Sequence, residues 1–216
     1  MQSSPTEEWV LEPGDILYVP PGVAHNGIAV GDDCMTYSIG FRAPSRSELI
    51  AHWCDHVLAE LDEDDRYDDP DLVVQANPGE ITPAAVGRLQ AMIAEKMLDQ
   101  DAFVRWFGRY NSTPKYPDVD WTPNVPISVA GLRKRLAADG TLYRNPASRF
   151  SFVREPRLLF VDSRSFDYGS AITALVEDLC ARDRLAVGPD LLQSDAAMEL
   201  LTGLFNAGSV AFGPRD

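Results

Sequence analysis

The chain has 216 residues, of which 45% are hydrophobic and 24% charged, with a net charge of −14. This is the balance of a globular chain of one large or two to three small domains, and no apolar run approaches the roughly 18 residues of a membrane helix. The opening "MQSSPTEEW" lacks the apolar core of a signal peptide, so no membrane partner and a cytoplasmic location are expected. The three cysteines, Cys34, Cys54 and Cys180, form no CxxC pair, which excludes a zinc knuckle or a disulfide framework and suits reduced thiols. Charge is unevenly placed. Up to Asp120 there are 22 acidic and 8 basic residues, and from Trp121 onward there are 11 of each. The first half would repel a phosphate backbone and attract a basic protein, or serve solubility alone.

In chain order, residues 1–43 read as β structure. "EEWVL" and "DILYVP" have strand character, Pro20-Pro21-Gly22 ends the second run, and "DDCMTYSIGF" supplies a turn and a further strand. Three strands are too few for an independent barrel, so they read as one end of a larger β domain.

Residues 44–117 read as helical. Ser45 and Glu48 have capping-box spacing, and Leu49, Ile50, Trp53, Val57 and Leu61 form an apolar stripe. The acidic "LDEDDRYDDPDL" reads as a solvated loop. Thr82-Pro83 starts a second helix with Val86, Leu89, Ile93 and Met97 on one face. "DAFVRWFGRY" gives a third, rich in aromatic residues. So much apolar surface calls for a partner, either the rest of the chain or a second copy.

Residues 118–216 read as α+β. "ISVAGLRKRLAADG" is a helix stopped by Gly140, and "RFSFVRE" with "RLLFVDS" are strands about a turn at Glu155-Pro156. "GSAITALVEDLCAR" and "SDAAMELLTGLFNAG", the latter capped by Ser194, are helices, and "SVAFGP" is an edge strand. Helices framing a hairpin resemble a winged helix. The one basic cluster, Arg133-Lys134-Arg135, is too small for a recognition helix, so no specific DNA binding is expected.

Two histidine arrangements invite chemistry. His25 follows the rigid "PPG" corner, where an imidazole is well placed to bind a metal; the residues alone favour a ring bonded to a nearby carbonyl. His52 and His56, in "HWCDH", lie one helical turn apart. They lack the adjacent glutamate of a metalloprotease helix, and a half-exposed packing role is expected.

"PGDILYVPPGVAHNG" followed by "YSIGFRAPS" resembles the last barrel strands of bacterial JmjC/cupin ribosomal oxygenases. The resemblance implies iron(II)- and 2-oxoglutarate-dependent hydroxylation of an arginine in a large-subunit ribosomal protein. It also implies an α+β chain: the C-terminal strands of a JmjC/cupin β-barrel (1–43), a helical dimerisation region (44–117) and a winged-helix-like domain (118–216). In that family a His-x-Asp pair and a distal histidine hold the iron. His25 falls on the distal position, and Ser38, on the strand expected to line the co-substrate pocket, is the candidate hydroxyl near 2-oxoglutarate. Tyr37, Ile39 and Phe41 would face the opposite side of that strand. No His-x-Asp or His-x-Glu occurs in the chain. The strands carrying those ligands would precede Met1, and the chain reads as the C-terminal portion of the enzyme, inactive and iron-free alone. The rival readings are a non-catalytic dimerisation and protein-interaction module, and a DNA-binding regulator resting only on the winged helix.

Overall fold

A computed structural model describes residues 6–40, 43–62, 65–71 and 73–213. The chain divides into two units, Met1–Ala43 and Pro44–Asp216.

The first unit departs from the strand expectation. Among its described residues no strand forms. Its punctuation is nevertheless well defined. Asp15 N–H donates to the Glu12 carbonyl at 3.0 Å with Gly14 at φ +101°, and Val23 N–H donates to the Pro20 carbonyl at 3.3 Å with Gly22 at φ +81°. Proline second and a positive-φ glycine third make both of these type II turns. The runs between the turns have strand composition but no neighbour to complete a ladder, and β propensity is mostly a matter of fit against neighbours. Ile16 is accordingly 95% exposed, and Tyr37 and Ile39 are above 80%. Phe41 lies outside the described residues.

The second unit is built on helices that match the expected caps. Helix α1 (Arg46–Glu60) has a complete capping box: Glu48 N–H donates to Ser45 Oγ, and Ser45 N–H to Glu48 Oε2. Helix α2 (Pro83–Met97) starts at Thr82, whose hydroxyl accepts from Ala85 N–H. Helix α3 (Gln100–Asn111) is capped by Asp99. The stripes of α1 and α2 are only partly covered. Trp53 is buried, its Nε1–H donating to the Met97 carbonyl, but α2 has no buried residue and Ile93 is 65% exposed.

Beyond α3 the chain closes its own core. Helix α4 (Val129–Asp139) ends at Gly140, which at φ +45° donates its N–H to the Leu136 carbonyl, the left-handed stop the sequence signals. Strand β1 (Thr141–Arg144) follows, then a meander of β2 (Phe150–Val153), β3 (Leu158–Val161) and β4 (Arg164–Asp167). Helix α5 (Thr173–Ala181), strand β5 (Arg184–Ala186), the short α6 (Pro189–Gln193), helix α7 (Asp195–Asn206) and strand β6 (Val210–Ala211) complete the unit. The second sheet has the order β5-β1-β6, antiparallel throughout, with β6 at an edge as expected.

The sequence reading did not find β1, β4, β5 or α6. These are short elements, and the β3–β4 turn is made by Asp162 and Ser163 at φ +50° and +63°, where a glycine or asparagine would have announced it.

Strand β3 is the pivot. Leu158, Leu159, Phe160 and Val161 are all buried, and alternation sends Leu159 and Val161 into the main core with Leu132, Leu136, Leu142, Leu201 and Leu204. Phe160 faces the other way, against α3. A Cβ at Gly108 would lie 2.3 Å from the Phe160 ring, so helix and sheet meet where only glycine fits. The Arg105 guanidinium clasps the Asp167 carboxylate at 2.9 and 3.2 Å across the same junction. The arginine holds that carboxyl below its usual range.

Candidate metal and co-substrate site

His25 sits two residues past the type II turn and is exposed. Its Nδ1 lies 3.1 Å from the Val23 carbonyl oxygen. A carbonyl can only accept, so the bond forms in the tautomer that carries its proton on Nδ1, which leaves Nε2 as the acceptor nitrogen. The two readings left open by the sequence are therefore compatible. One nitrogen is bonded to a carbonyl and the other remains a metal donor.

The rest of an iron site does not assemble around it. Among the described residues no group of three His, Cys, Asp or Glu side chains is placed to hold a metal. The described residues fit such an ion only in part. They offer one imidazole donor and no carboxylate beside it, so no metal-dependent step can be derived from this chain's geometry. Ser38 is exposed and shares no hydrogen bond with His25 among the described residues.

His52 and His56 do not form a rival site. His52 packs on the Tyr110 ring at 5.4 Å, while His56 lies 5.5 Å from Trp53 and 6.5 Å from Trp106. With Phe103 and Phe107 they edge an aromatic cluster joining α1 to α3.

A cleft of about 520 Å³ in the second unit was not foreseen. Its lining includes Tyr116, Trp121, Ser148, Asp162, Arg164 and Asn206. Its polar floor is closed on itself. Asp162 accepts from Ser148 Oγ and Ser209 Oγ at 2.7 Å each and from Arg149 N–H at 3.0 Å, and Arg164 donates to Ser209 Oγ at 2.9 Å. Such a satisfied network fixes the loops it joins and offers no reactive group.

Two of the three basic residues in the α4 cluster are also engaged. Arg133 pairs with Asp195, and Arg135 lies 3.8 Å over the Phe212 ring. On the meander and its flanks, Arg154 pairs with Glu177, and Arg157 faces Glu155 at 3.7 Å.

Known proteins match both ends of the chain. The JmjC domain family matches residues 1–49, and the ROXA-like winged helix matches residues 92–211. The ribosomal protein uL16 3-hydroxylase of Escherichia coli is 40% identical over 116 residues, which are 54% of this chain and 31% of that protein. A probable ribosomal oxygenase of Haemophilus influenzae is 56% identical over 41 residues, 19% of this chain and 10% of that one. A solved structure of YcfD, a ribosomal oxygenase from Escherichia coli, in complex with cobalt and 2-oxoglutarate, superposes with a TM-score of 0.68 at 25% identity. It covers 82% of this chain and 48% of that one. The chain thus spans less than half the length of these relatives.

Proposed function

The chain belongs to the ROXA-like winged-helix family, and from that premise we propose that it is the C-terminal part of an iron(II)- and 2-oxoglutarate-dependent oxygenase that hydroxylates an arginine of a large-subunit ribosomal protein. The observation that carries this reading is His25. It stands just past a Pro-Gly turn, inside the stretch matched by the JmjC domain, with Nδ1 3.1 Å from the Val23 carbonyl oxygen. The relative named for uL16 hydroxylation and the relative solved with cobalt and 2-oxoglutarate support the substrate class and the cofactors.

In this reading the chain's own residues bind and orient. His25 supplies one imidazole to the iron, and Ser38 offers a hydroxyl to the 2-oxoglutarate. The acidic first half, 22 carboxylates against 8 basic residues, steers a basic substrate. The bound iron and 2-oxoglutarate supply the oxygen chemistry. The remaining ligands come from a His-x-Asp strand that this chain does not contain.

The test is metal content. In a polypeptide that joins a His-x-Asp strand upstream of this chain, His25→Ala is expected to remove most bound iron and 2-oxoglutarate turnover. The thermal melting of the second unit should stay unchanged. Full iron content in that variant would sink the assignment at its most specific residue.

Two further proposals concern partners. The uncovered face of α1 and α2, with Ile50, Val86, Leu89 and Ile93 each 44–65% exposed, supports a homodimer through residues 44–117. A single species of 23.8 kDa in sedimentation at micromolar concentration would count decisively against it. The internal pairing of the winged-helix arginines supports the absence of specific DNA binding, and a nanomolar, salt-dependent affinity for one duplex sequence would overturn that.

A further inference from the structure

We propose that the cleft lined by Asp120 and Trp121 docks an arginine side chain of a basic protein segment, distinct from the arginine that is hydroxylated. This rests on the reading of the substrate as a ribosomal protein and deepens it, because it gives that substrate a second point of contact, on the winged-helix unit.

The cleft is walled by the segment between α3 and α4, by the β3–β4 turn and by the end of α7. That segment is pinned at both ends. Lys115 N–H donates to the Ala147 carbonyl at 3.1 Å, and the Asn206 amide bonds both the N–H and the carbonyl of Ile127, at 2.8 and 2.9 Å. Between these points Gly208 comes so close to Trp121 that a Cβ there would overlap its carbonyl. Although held in so many places, the segment leaves Tyr116, Val119 and Trp121 at 47–49% exposure. Side chains that only closed a core would be covered, whereas these form an ordered apolar rim around an open cleft. The ring and the charge of that rim select a cation. Tryptophan is the aromatic residue that best holds a cation on its face, and arginine is the cation most often found there. Among the described residues no ring or cation packs on Trp121, whereas Lys115 already lies 5.2 Å from the centre of the Tyr116 ring. Trp121 is therefore the free ring. Beside it, Asp120 Oδ1 accepts from Thr122 N–H at 2.9 Å, which orients the carboxylate. Thr122, through that N–H first and its side chain second, holds the carboxyl below its usual range, so it is charged at neutral pH. The floor adds no net charge, because Arg164 and Asp162 both bond the Ser209 hydroxyl. The charge left over in the lining is Asp120, and a guanidinium can lie on Trp121 while donating to that carboxylate. A nucleic acid could stack a base on the same ring, but its phosphates would meet Asp120.

The probe is a blocked Gly-Arg-Gly-Arg-Gly peptide, compared with a counterpart in which citrulline, uncharged but nearly isosteric, replaces arginine. The heavy-nitrogen-labelled 216-residue chain is titrated without metal, in about 0.15 M salt, and followed by nitrogen–proton NMR. The tryptophan indole N–H signals give the location, with Trp121 assigned by its loss in Trp121→Leu. The backbone amides of Gly203 and Gly208, which line the cleft, give the affinity in every variant. The arginine peptide is expected to shift the Trp121 signal saturably and to leave the buried Trp53 signal in place. The citrulline peptide should bind about tenfold more weakly or worse, and Asp120→Asn and Trp121→Leu should each weaken the arginine peptide about fivefold or more. Asparagine can still accept from Thr122 N–H, so Asp120→Asn removes the charge and keeps the turn. Asp139→Asn, which removes an exposed carboxylate outside the lining, should change the affinity by less than about twofold.

No saturable shift of Trp121 up to about 5 mM peptide overturns the proposal, and so does equal binding of the citrulline peptide. Equal weakening by Asp139→Asn and Asp120→Asn overturns it as well, by showing diffuse attraction to an acidic chain. A Trp121 shift produced by oligouridylate and not by the peptide overturns it in favour of base stacking. Because no metal is present, these outcomes are independent of the iron measurement on His25→Ala in the extended polypeptide. Docking retained with no loss of iron in that variant would reject the hydroxylase reading and leave the cleft standing as a site for basic peptides.

Discussion

Residues 6–40 and the segment from Ser128 to Ala211 carry the same kinds of apolar side chain and put them to opposite use. "DILYVP" and "TYSIGF" match "RLLFVDS" in β propensity. Yet Ile16 is 95% exposed and Ile39 82%, while Leu158, Leu159, Phe160 and Val161 lie at 0–1%. The difference is the presence of neighbours. Strand β3 has β2 on one side, β4 on the other, α3 against one face and the main core against the other. The first unit has well-formed turns at Gly14 and Gly22 but no second strand within its described residues. A turn is decided by four residues, so it survives without context. A strand is decided by its partners.

That contrast is broken or sharpened most strongly by truncating one side chain on each side of it. Phe160→Ala is expected to destabilise the second unit by about 3–5 kcal/mol, the cost of removing a buried aromatic ring and leaving a cavity under α3. Ile39→Ala is expected to change stability by no more than about 0.5 kcal/mol, because no cavity results. Urea unfolding monitored by tryptophan fluorescence measures both. A cost above about 2 kcal/mol for Ile39→Ala would show that the first unit packs a core of its own, and the comparison would fail.

How much was legible in the sequence follows the same division. Elements specified by local chemistry were readable: the Ser45–Glu48 capping box, Thr82-Pro83, the Gly140 stop and the Ser194 cap each appear where the residues indicate. Elements specified by distant partners were not. Strands β1 and β5 are three or four residues long and exist through pairing across some forty residues, Thr141 with Ala186 and Leu142 with Leu185. The β3–β4 turn hid because Asp162 and Ser163 adopt left-handed conformations without glycine. Asp162 is held there by bonds to Ser148, Arg149 and Ser209, none adjacent to it in sequence.

The candidate site divides likewise. His25 could be singled out because a family pattern surrounds it, and the "PPG" corner because proline and glycine have distinctive dihedrals. The Val23 carbonyl could not, since a backbone acceptor leaves no mark on residue identity. The aromatic role of His52 and His56 was expected from their place at the edge of an apolar stripe, and their stacking against Tyr110 and Trp106 gives it a physical form.

A smaller effect sharpens the comparison through the cysteines, one of which lies in each region. Cys34 is exposed, whereas Cys180 is half-buried on α5. Burial pushes the Cys180 thiol up from its ordinary 9.0 to about 11, with the Arg144 guanidinium pulling weakly the other way. A folded pKa above the unfolded one means that the folded chain keeps its proton after the unfolded chain has released it. The resulting stabilisation is complete below pH 9.0 and is lost progressively as pH rises toward about 11. Solvent reaches part of the residue, so the loss attributable to Cys180 is on the order of 1–2 kcal/mol. Tyr168, also raised by burial, adds to the alkaline slope in the same direction, so the measurement must be a difference. Cys180→Ala removes a buried side chain and is less stable at neutral pH, but it also removes this titration. Its stability deficit relative to the unsubstituted chain is therefore expected to shrink by that 1–2 kcal/mol between about pH 8 and about pH 10.5, whereas Cys34→Ala should track the unsubstituted chain throughout. A thiol reagent at neutral pH gives the kinetic counterpart, labelling Cys34 first and Cys180 only as the second unit opens. Equal labelling rates would show that α5 does not shield its cysteine, and a pH-independent deficit in Cys180→Ala would show that burial does not hold the thiol protonated.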